Sequence, residues 1–388
     1  MRTRSGGCFA KPFAMKTRFC VGLLLFALVS KAQEKAQNLF IITTDGVRWQ
    51  EIFNGADSLL LSNPHFVNDT ALAKRLYWDD SQNERRKKLL PFFWNVLAKE
   101  GQLYGNRQKE SRVNVKNIYK ISYPGYNELL SGYPDPLPIL NAPQQNRNKT
   151  VLEFLAENPA FNDSVASFTS WNVFPFILNK TKSCVKQNCG YENVDDTTES
   201  VDVLNRVQNG VPQKNKTRYD LLTFFAAKQY IRQHHPRVVF LSLGETDEFA
   251  HQGRYDLYLQ QLSAVDKMIA ELWYAAQTDP VYKDKTTFLL STDHGRGRSE
   301  RWTTHHAFIR GSGEIWLGLL GGNIAPAGEM QGVNTIFQNQ VAATAAFLLG
   351  EEFRSNRNTG KPINLPSQIE VAAGTKLSGA NATVSVNK

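Results

Sequence analysis

Cysteine is scarce in this chain. Four are present in 388 residues, and Cys8 and Cys20 fall close to the N-terminus. The other two, Cys184 and Cys189, form a lone close pair. A zinc knuckle would need two further ligands beside that pair, and none is there. Long apolar runs are equally rare. The best of them, inside Met15–Gln33, is too short for an ordinary membrane span. Acidic residues are missing from positions 1–32, which hold Arg2, Arg4, Lys11, Lys16, Arg18 and Lys31. Without that stretch the formal charge falls from +9 to +3 (9 − 6). The high overall charge is therefore mainly a targeting signature and argues against a nucleic-acid-binding module. There is no internal repeat. At 41% apolar and 21% charged residues, the composition is that of a globular chain.

The N-terminus has its own logic. A basic start, an apolar stretch and small residues near Ser30-Lys-Ala32 make a secretory signal covering 1–32. It is complete from Met15 alone, so translation from either Met1 or Met15 gives the same mature start near Gln33. The expectation is an exported protein, periplasmic or extracellular, with no transmembrane span after cleavage. In such a compartment the Cys184/Cys189 pair predicts a disulfide.

Along the remaining chain, strand-like and helix-like patterns alternate. Residues 38–45, 237–243, 286–292 and 314–320 read as buried strands. Residues 89–100, 217–234, 254–276 and 338–349 read as helices. The spacing of Leu262, Val265, Met268, Ile269 and Leu272 predicts a core-facing stripe. Pro124-Gly125 reads as a turn before a helix. The region 134–215 breaks the pattern, carries the cysteine pair, and is expected to be an insertion or cap over the site. The predicted architecture is α/β, with a mostly parallel central sheet flanked by helices. Its domain spans 33–373, and 374–388 forms a tail.

Three short segments carry acids and imidazoles to strand ends. Asp45 follows the run Asn38–Thr44. Asp247-Glu-Phe-Ala-His251 follows Val238–Leu243. Asp293-His294-Gly295 follows the strand ending near Ser291, with His305 shortly after it. In an open α/β sheet, strand ends on one edge form the ligand crevice. Carboxylate and imidazole together suit zinc and related divalent ions. Asp-x-x-x-His puts both groups on one face of a helix. Asp293 and His294 converge only if their strand has ended, which Gly295 permits. The candidates divide into Asp247, His251 and His305 for one ion and Asp45, Asp293 and His294 for another. The second set is one ligand short, and a hydroxyl nucleophile would complete it.

This ordered set resembles the alkaline phosphatase superfamily, and within it the type I phosphodiesterase/nucleotide pyrophosphatase and phosphoglycerate-mutase-like branches. The resemblance covers most of residues 38–350. It implies that Ser122, in Ile121-Ser-Tyr-Pro-Gly-Tyr-Asn-Glu128, is the nucleophile and a ligand of the nucleophile-side metal. It implies the ligand roles of Asp45, Asp247, His251, Asp293, His294 and His305 for two divalent ions, zinc or in some branches manganese. His306, beside His305, is the alternative last ligand. Two departures stand out. Phosphodiesterase relatives place Asn three residues after the nucleophile, where this chain has Gly125, which leaves Asn127 as the nearest amide. The sulfatase signature around the nucleophile is absent. Lys120 and Arg296 are further candidates for holding substrate anions. The implied activity is hydrolysis of a small anionic phosphate ester. A phosphotransferase or mutase on the same scaffold and a non-catalytic metal-stabilised binding protein are the other two readings.

Overall fold

The computed structural model describes residues 35–137, 139–367 and 371. The expected signal, 1–32, and the tail, 374–388, lie outside the described residues. Eleven strands form within the described chain: β1 Asn38–Thr44, β2 Gln102–Tyr104, β3 Val113–Asn114, β4 Val165–Thr169, β5 Lys186–Cys189, β6 Val238–Leu243, β7 Thr286–Ser291, β8 Glu314–Ile315, β9 Leu317–Gly321, β10 Gly328–Glu329 and β11 Ile336–Phe337. Eight of them build one sheet in the order β10-β2-β9-β7-β1-β6-β4-β5, and β11-β3-β8 form a small second sheet. In the large sheet β9 pairs antiparallel with both neighbours, while the other pairs are parallel.

The apolar runs of β1, β6 and β7 are buried on both faces, as parallel strands covered by helices must be. Alternate side chains enter two separate cores. Phe40, Ile42, Val239, Leu241, Phe288 and Leu290 join one; Leu39, Ile41, Val238, Phe240 and Leu289 join the other. Five helices matter for the site: α1 Ser122–Ser131, α2 Asp220–His234, α3 Glu245–His251, α4 Tyr255–Thr278 and α5 Val341–Leu348. The stripe predicted on α4 is buried in the first core. Leu129 and Leu130 of α1 pack with α5 in the second.

Three local readings change. The region 134–215 is more than an insertion, because β4 inside it pairs onto β6 and β5 onto β4, extending the main sheet. The helix expected over 89–100 breaks near Pro91, with one helix ending at Leu89 and another running 91–100. Pro91 lacks the N–H that continuing the first helix would need, but it suits a first helical position. The next two amides, of Phe92 and Phe93, donate to the Asp266 carboxylate at 2.9 and 3.0 Å. Pro124-Gly125 is no turn: both lie within the first turns of α1, where proline is tolerated.

Candidate metal centre

Register brings the three segments together. Thr44 of β1 pairs with Leu243 of β6, and Thr43 pairs with Ser291 of β7. The chain therefore leaves all three strands at one edge, on either side of the first strand. Asp45 stays tied to β6 by its own N–H, which donates to the Leu243 carbonyl at 2.9 Å. Gly46 then turns away with φ +62°, and its N–H donates to Asp293 Oδ1 at 3.1 Å. A Cβ on Gly46 would lie 2.6 Å from Asp247 Oδ1 and 3.2 Å from His294 Cε1. Only glycine leaves room for the carboxylates and the ring to close around this corner.

On α3, Asp247 and His251 face the same way, with His251 Nε2 3.1 Å from Asp247 Oδ2. Beyond β7, Thr292 fixes the next two residues. Its hydroxyl accepts from Val47 N and donates to the His294 carbonyl, both at 3.1 Å. His294 Nε2 becomes a hub, 3.3 Å from Asp293 Oδ2, 3.4 Å from Asp45 Oδ1 and 3.3 Å from Ser122 Oγ. Ser122 is the first residue of α1 and is buried, so the positive end of that helix dipole lies at the site. His305 stacks on His294 with ring centroids 3.7 Å apart, and its Nε2 lies 3.1 Å from His251 Nε2.

Several observations show that this donor set fits divalent cations. Asp45 Oδ1 and Asp293 Oδ2 are buried with no hydrogen-bond partner among the described residues, an arrangement that is costly unless a ligand completes it. Carbonyls fix the ring tautomers. His294 Nδ1 lies 2.9 Å from the Gly295 carbonyl, and His305 Nδ1 lies 3.0 Å from that of Lys120. Each Nδ1 therefore carries the proton and donates, which leaves both Nε2 lone pairs facing the centre. Two groups place their ligand atoms within 4.8 Å of one another: Asp247, His251, His305 and Asp45, Asp247, His294. Asp247 thus serves both sides of the centre.

The charges agree. Burial, then Asp293 and Asp247, push the Asp45 carboxyl well above the usual range. Burial and Asp247 do the same to Asp293. Burial also opposes ionisation of Asp247, but Arg296 and then His305 outweigh it and hold that carboxyl well below the ordinary value. Burial depresses both stacked rings, His305 to about 4, and keeps them in the neutral form that binds metal. Clustered buried carboxylates beside neutral imidazoles call for added positive charge.

Other expectations are corrected. Asn127 points away from the centre: its amide donates to the Tyr133 carbonyl at 3.0 Å and accepts from Asn148 at 3.1 Å. Arg296 is buried with its donors already engaged, by the Trp302 and Thr303 carbonyls at 2.8 and 2.6 Å and by Asp247. It balances charge beneath the site instead of reaching out to substrate. Lys120 lies beside the site, where its carbonyl orients His305 and its ammonium donates to the Ala307 carbonyl at 3.3 Å. Cys184 is exposed, Cys189 is buried, and both are free. Cys184 lies two residues before β5, whereas Cys189 is the last, buried residue of that strand. His306 is exposed and turns away, its Nδ1 accepting from Phe308 N at 3.3 Å.

Sequence reasoning passed over Tyr126. It lies one turn after Ser122, fully buried, and its hydroxyl donates to Asp45 Oδ2 at 3.2 Å while accepting from Ser242 at 3.1 Å. Its position four residues beyond the nucleophile, on the same helix face, was the available signal. Gln338 also went unread. Its amide donates to the Thr292 and Asp293 carbonyls at 3.1 and 2.8 Å and braces that loop.

The Metalloenzyme superfamily profile matches residues 180–308, a span that holds Asp247, His251, Asp293, His294 and His305. No curated protein matches the sequence. Solved structures of similar fold include wild-type alkaline phosphatase PafA, 11% identical over 86% of this chain and 99% of that one, with a TM-score of 0.57. The phosphonate monoester hydrolase of Agrobacterium radiobacter is 11% identical over 88% and 78%, with a TM-score of 0.55. The lipoteichoic acid synthase LtaP from Listeria monocytogenes is 11% identical over 86% and 76%, with a TM-score of 0.52. At these identities the likeness is one of fold. Over residues 180–308 the chain is similar to the Metalloenzyme superfamily, and its fold is alkaline-phosphatase-like.

Proposed function

We propose that this protein is an exported two-metal hydrolase of phosphate esters, with Ser122 as its nucleophile. One observation carries the reading: a buried serine hydroxyl at a helix N-terminus lies 3.3 Å from the same imidazole nitrogen on which one unpaired carboxylate oxygen each of Asp45 and Asp293 converges. A non-catalytic metal site has no use for a nucleophile held there. Asp45, Asp293 and His294 would hold one ion and Asp247, His251 and His305 the other, with Ser122 completing the first set. Bound zinc or manganese would supply Lewis acidity, acidifying oxygen nucleophiles and offsetting charge on the phosphoryl group.

The protein's own residues do the rest. Ser122 Oγ attacks phosphorus in line, the ester oxygen leaves as an alcohol, and a phosphoseryl group forms. Water then attacks that phosphorus, the Ser122 oxygen leaves, and inorganic phosphate, or from a diester a phosphate monoester, is released. The N-terminus of α1 favours the anionic group throughout. Tyr126 holds Asp45 in place, and Gly295 and Lys120 hold the two rings.

Turnover of a phosphate monoester, a phosphate diester and a sulfate ester by zinc-reconstituted protein tests this. Ser122→Ala is expected to lower phosphate-ester turnover at least about 10³-fold while leaving metal stoichiometry intact. Sulfate-ester preference, or full activity in Ser122→Ala, would overturn the reading. Transfer of the phosphoryl group to added alcohol with no hydrolysis would favour a transferase.

A further inference from the structure

We infer that Glu128 is a positioning residue for the reaction, because its carboxylate fixes the segment that delivers Ser122 to the metal centre. This rests on the phosphate-ester reading above and deepens it. Glu128 lies in the second turn of α1, on a different face from Ser122, and it is fully buried. A carboxylate taken out of water is costly unless donors surround it. Here four N–H groups do. Glu128 Oε1 accepts from Lys116 N at 2.8 Å and from Asn339 N at 3.0 Å. Its Oε2 accepts from Asn117 N at 2.7 Å and from Asn117 Nδ2 at 2.8 Å. Burial pushes the carboxyl up, and the same donors pull it back toward the ionised form they need.

None of these donors belongs to α1 itself. Lys116 and Asn117 open the approach to Ser122, and Asn339 follows Gln338, whose amide braces Thr292 and Asp293. One carboxylate therefore ties the nucleophile's segment to the loop that carries Asp293 and His294. The approach needs such a hold. The residue that caps α1 is Ile121, whose side chain offers no acceptor to the first amides. Just before it, Lys120 stands in the left-handed region at φ +54°, which a side chain makes unfavourable. Lys120 is held there from two directions. Its N–H donates to Asn117 Oδ1 at 2.8 Å, and its carbonyl accepts from His305 Nδ1 at 3.0 Å. The Asn117 side chain thus passes the grip of Glu128 on to the residue two before Ser122. All four donors come from segments that lead to Ser122 or brace Asp293, which separates this carboxylate from a group that only completes the core.

Steady-state kinetics of Glu128→Gln at saturating zinc, beside the wild type, Ser122→Ala and the double variant, test the assignment. Glutamine keeps the shape but turns one acceptor oxygen into a donor that faces N–H groups. For a phosphate ester, kcat is expected to fall about 100-fold, the cost of misplacing a reacting group. KM should stay within about 3-fold, with metal stoichiometry intact. In the Ser122→Ala background the same change is expected to cost less than about 3-fold, because the residue it positions is gone. A lower melting temperature with wild-type kcat, or a rise in KM alone, would overturn the inference and leave Glu128 a structural group. So would loss of metal at saturating zinc, or a further loss of about 100-fold on top of Ser122→Ala. Should Glu128→Gln fail to fold, Asn117→Ala leaves Glu128 its backbone donors and cuts only the link to Lys120. It is expected to lower kcat about 10-fold, and an unchanged kcat would overturn the inference. A wild-type protein inert toward phosphate esters, or Ser122→Ala at full activity, would instead remove the phosphate-ester reading beneath it.

Discussion

Single side chains decide whether the donors converge, and much of the centre is visible one residue at a time. Asp45, Asp293 and His294 stand out because each follows an apolar run, and strand ends are where a parallel sheet gathers ligands. Asp247 and His251 stand out by helical spacing. The supporting residues do not. Tyr126 reads as one more buried aromatic of a helix, and only the packing of α1 on the sheet edge aims its hydroxyl at Asp45. Arg296 reads as a free cation beside a motif, but burial commits it to Asp247. Tyr126→Phe keeps the packing and removes the donor. It is expected to weaken metal binding about 10-fold, the usual effect of losing a group that orients a ligand. Chelator competition reads this directly. Unchanged affinity would show that Asp45 needs no such anchor.

At the scale of elements, helix and strand types follow from periodicity, but close approaches between elements do not. Gly125 illustrates this. In the sequence it looks like half of a Pro-Gly turn, whereas in the fold it is the point where α1 lies against the loop after β7. A Cβ there would come within 2.5 Å of the Asp293 carbonyl. Gly125→Ala must push α1, and Ser122 with it, away from the centre. The expected cost is about 1–3 kcal/mol of stability, with a loss of turnover of about 100-fold. Wild-type turnover in this variant would show that the helix has room to spare.

Asp266 holds another junction, capping helix 91–100 from α4, where burial pushes its carboxyl up to about 7. An unfolded chain ionises the same group near about 3.9. Its contribution to stability is therefore full below about pH 4 and fades as pH rises through about 7. Asp266→Asn cannot ionise. Between pH 4 and 8 the unfolding free energy of the variant is expected to gain on the wild type by up to about 4 kcal/mol. A difference that stays flat with pH would mean Asp266 keeps an ordinary carboxylate range.

For the whole molecule, the fold class was legible from the alternation of strands and helices, but the layout of the sheet was not. The irregular composition of 134–215 hides β4 and β5, which are short and owe their places to β6 and to each other instead of any periodicity of their own. Metal removal should act on the entire fold, because its donors come from the residue after β1, α3, the loop after β7 and His305 together. Chelation is expected to lower the melting temperature by several degrees, since binding to the native state alone stabilises it by mass action. In the stripped protein two sets of groups then oppose each other with pH: Asp247, His294 and His305 sit below their unfolded values and lose their contribution in acid. Asp45 and Asp293 both sit above their unfolded values, so what they contribute is full below about pH 4 and is lost as the pH rises. Melting curves with and without chelator across pH measure both effects, and identical curves would exclude a structural part for the ions.

The position of β1 sets the order of assembly during synthesis. This strand is made early, yet both of its partners, β6 and β7, are encoded about two hundred residues later. Until Val238–Leu243 and Thr286–Ser291 have been made, the middle of the sheet is a bare apolar strand with two unpaired edges. Long-range pairings of this kind make folding slow and leave such strands open to aggregation. The nascent chain therefore depends on something to shield residues 38–44 until its second half arrives.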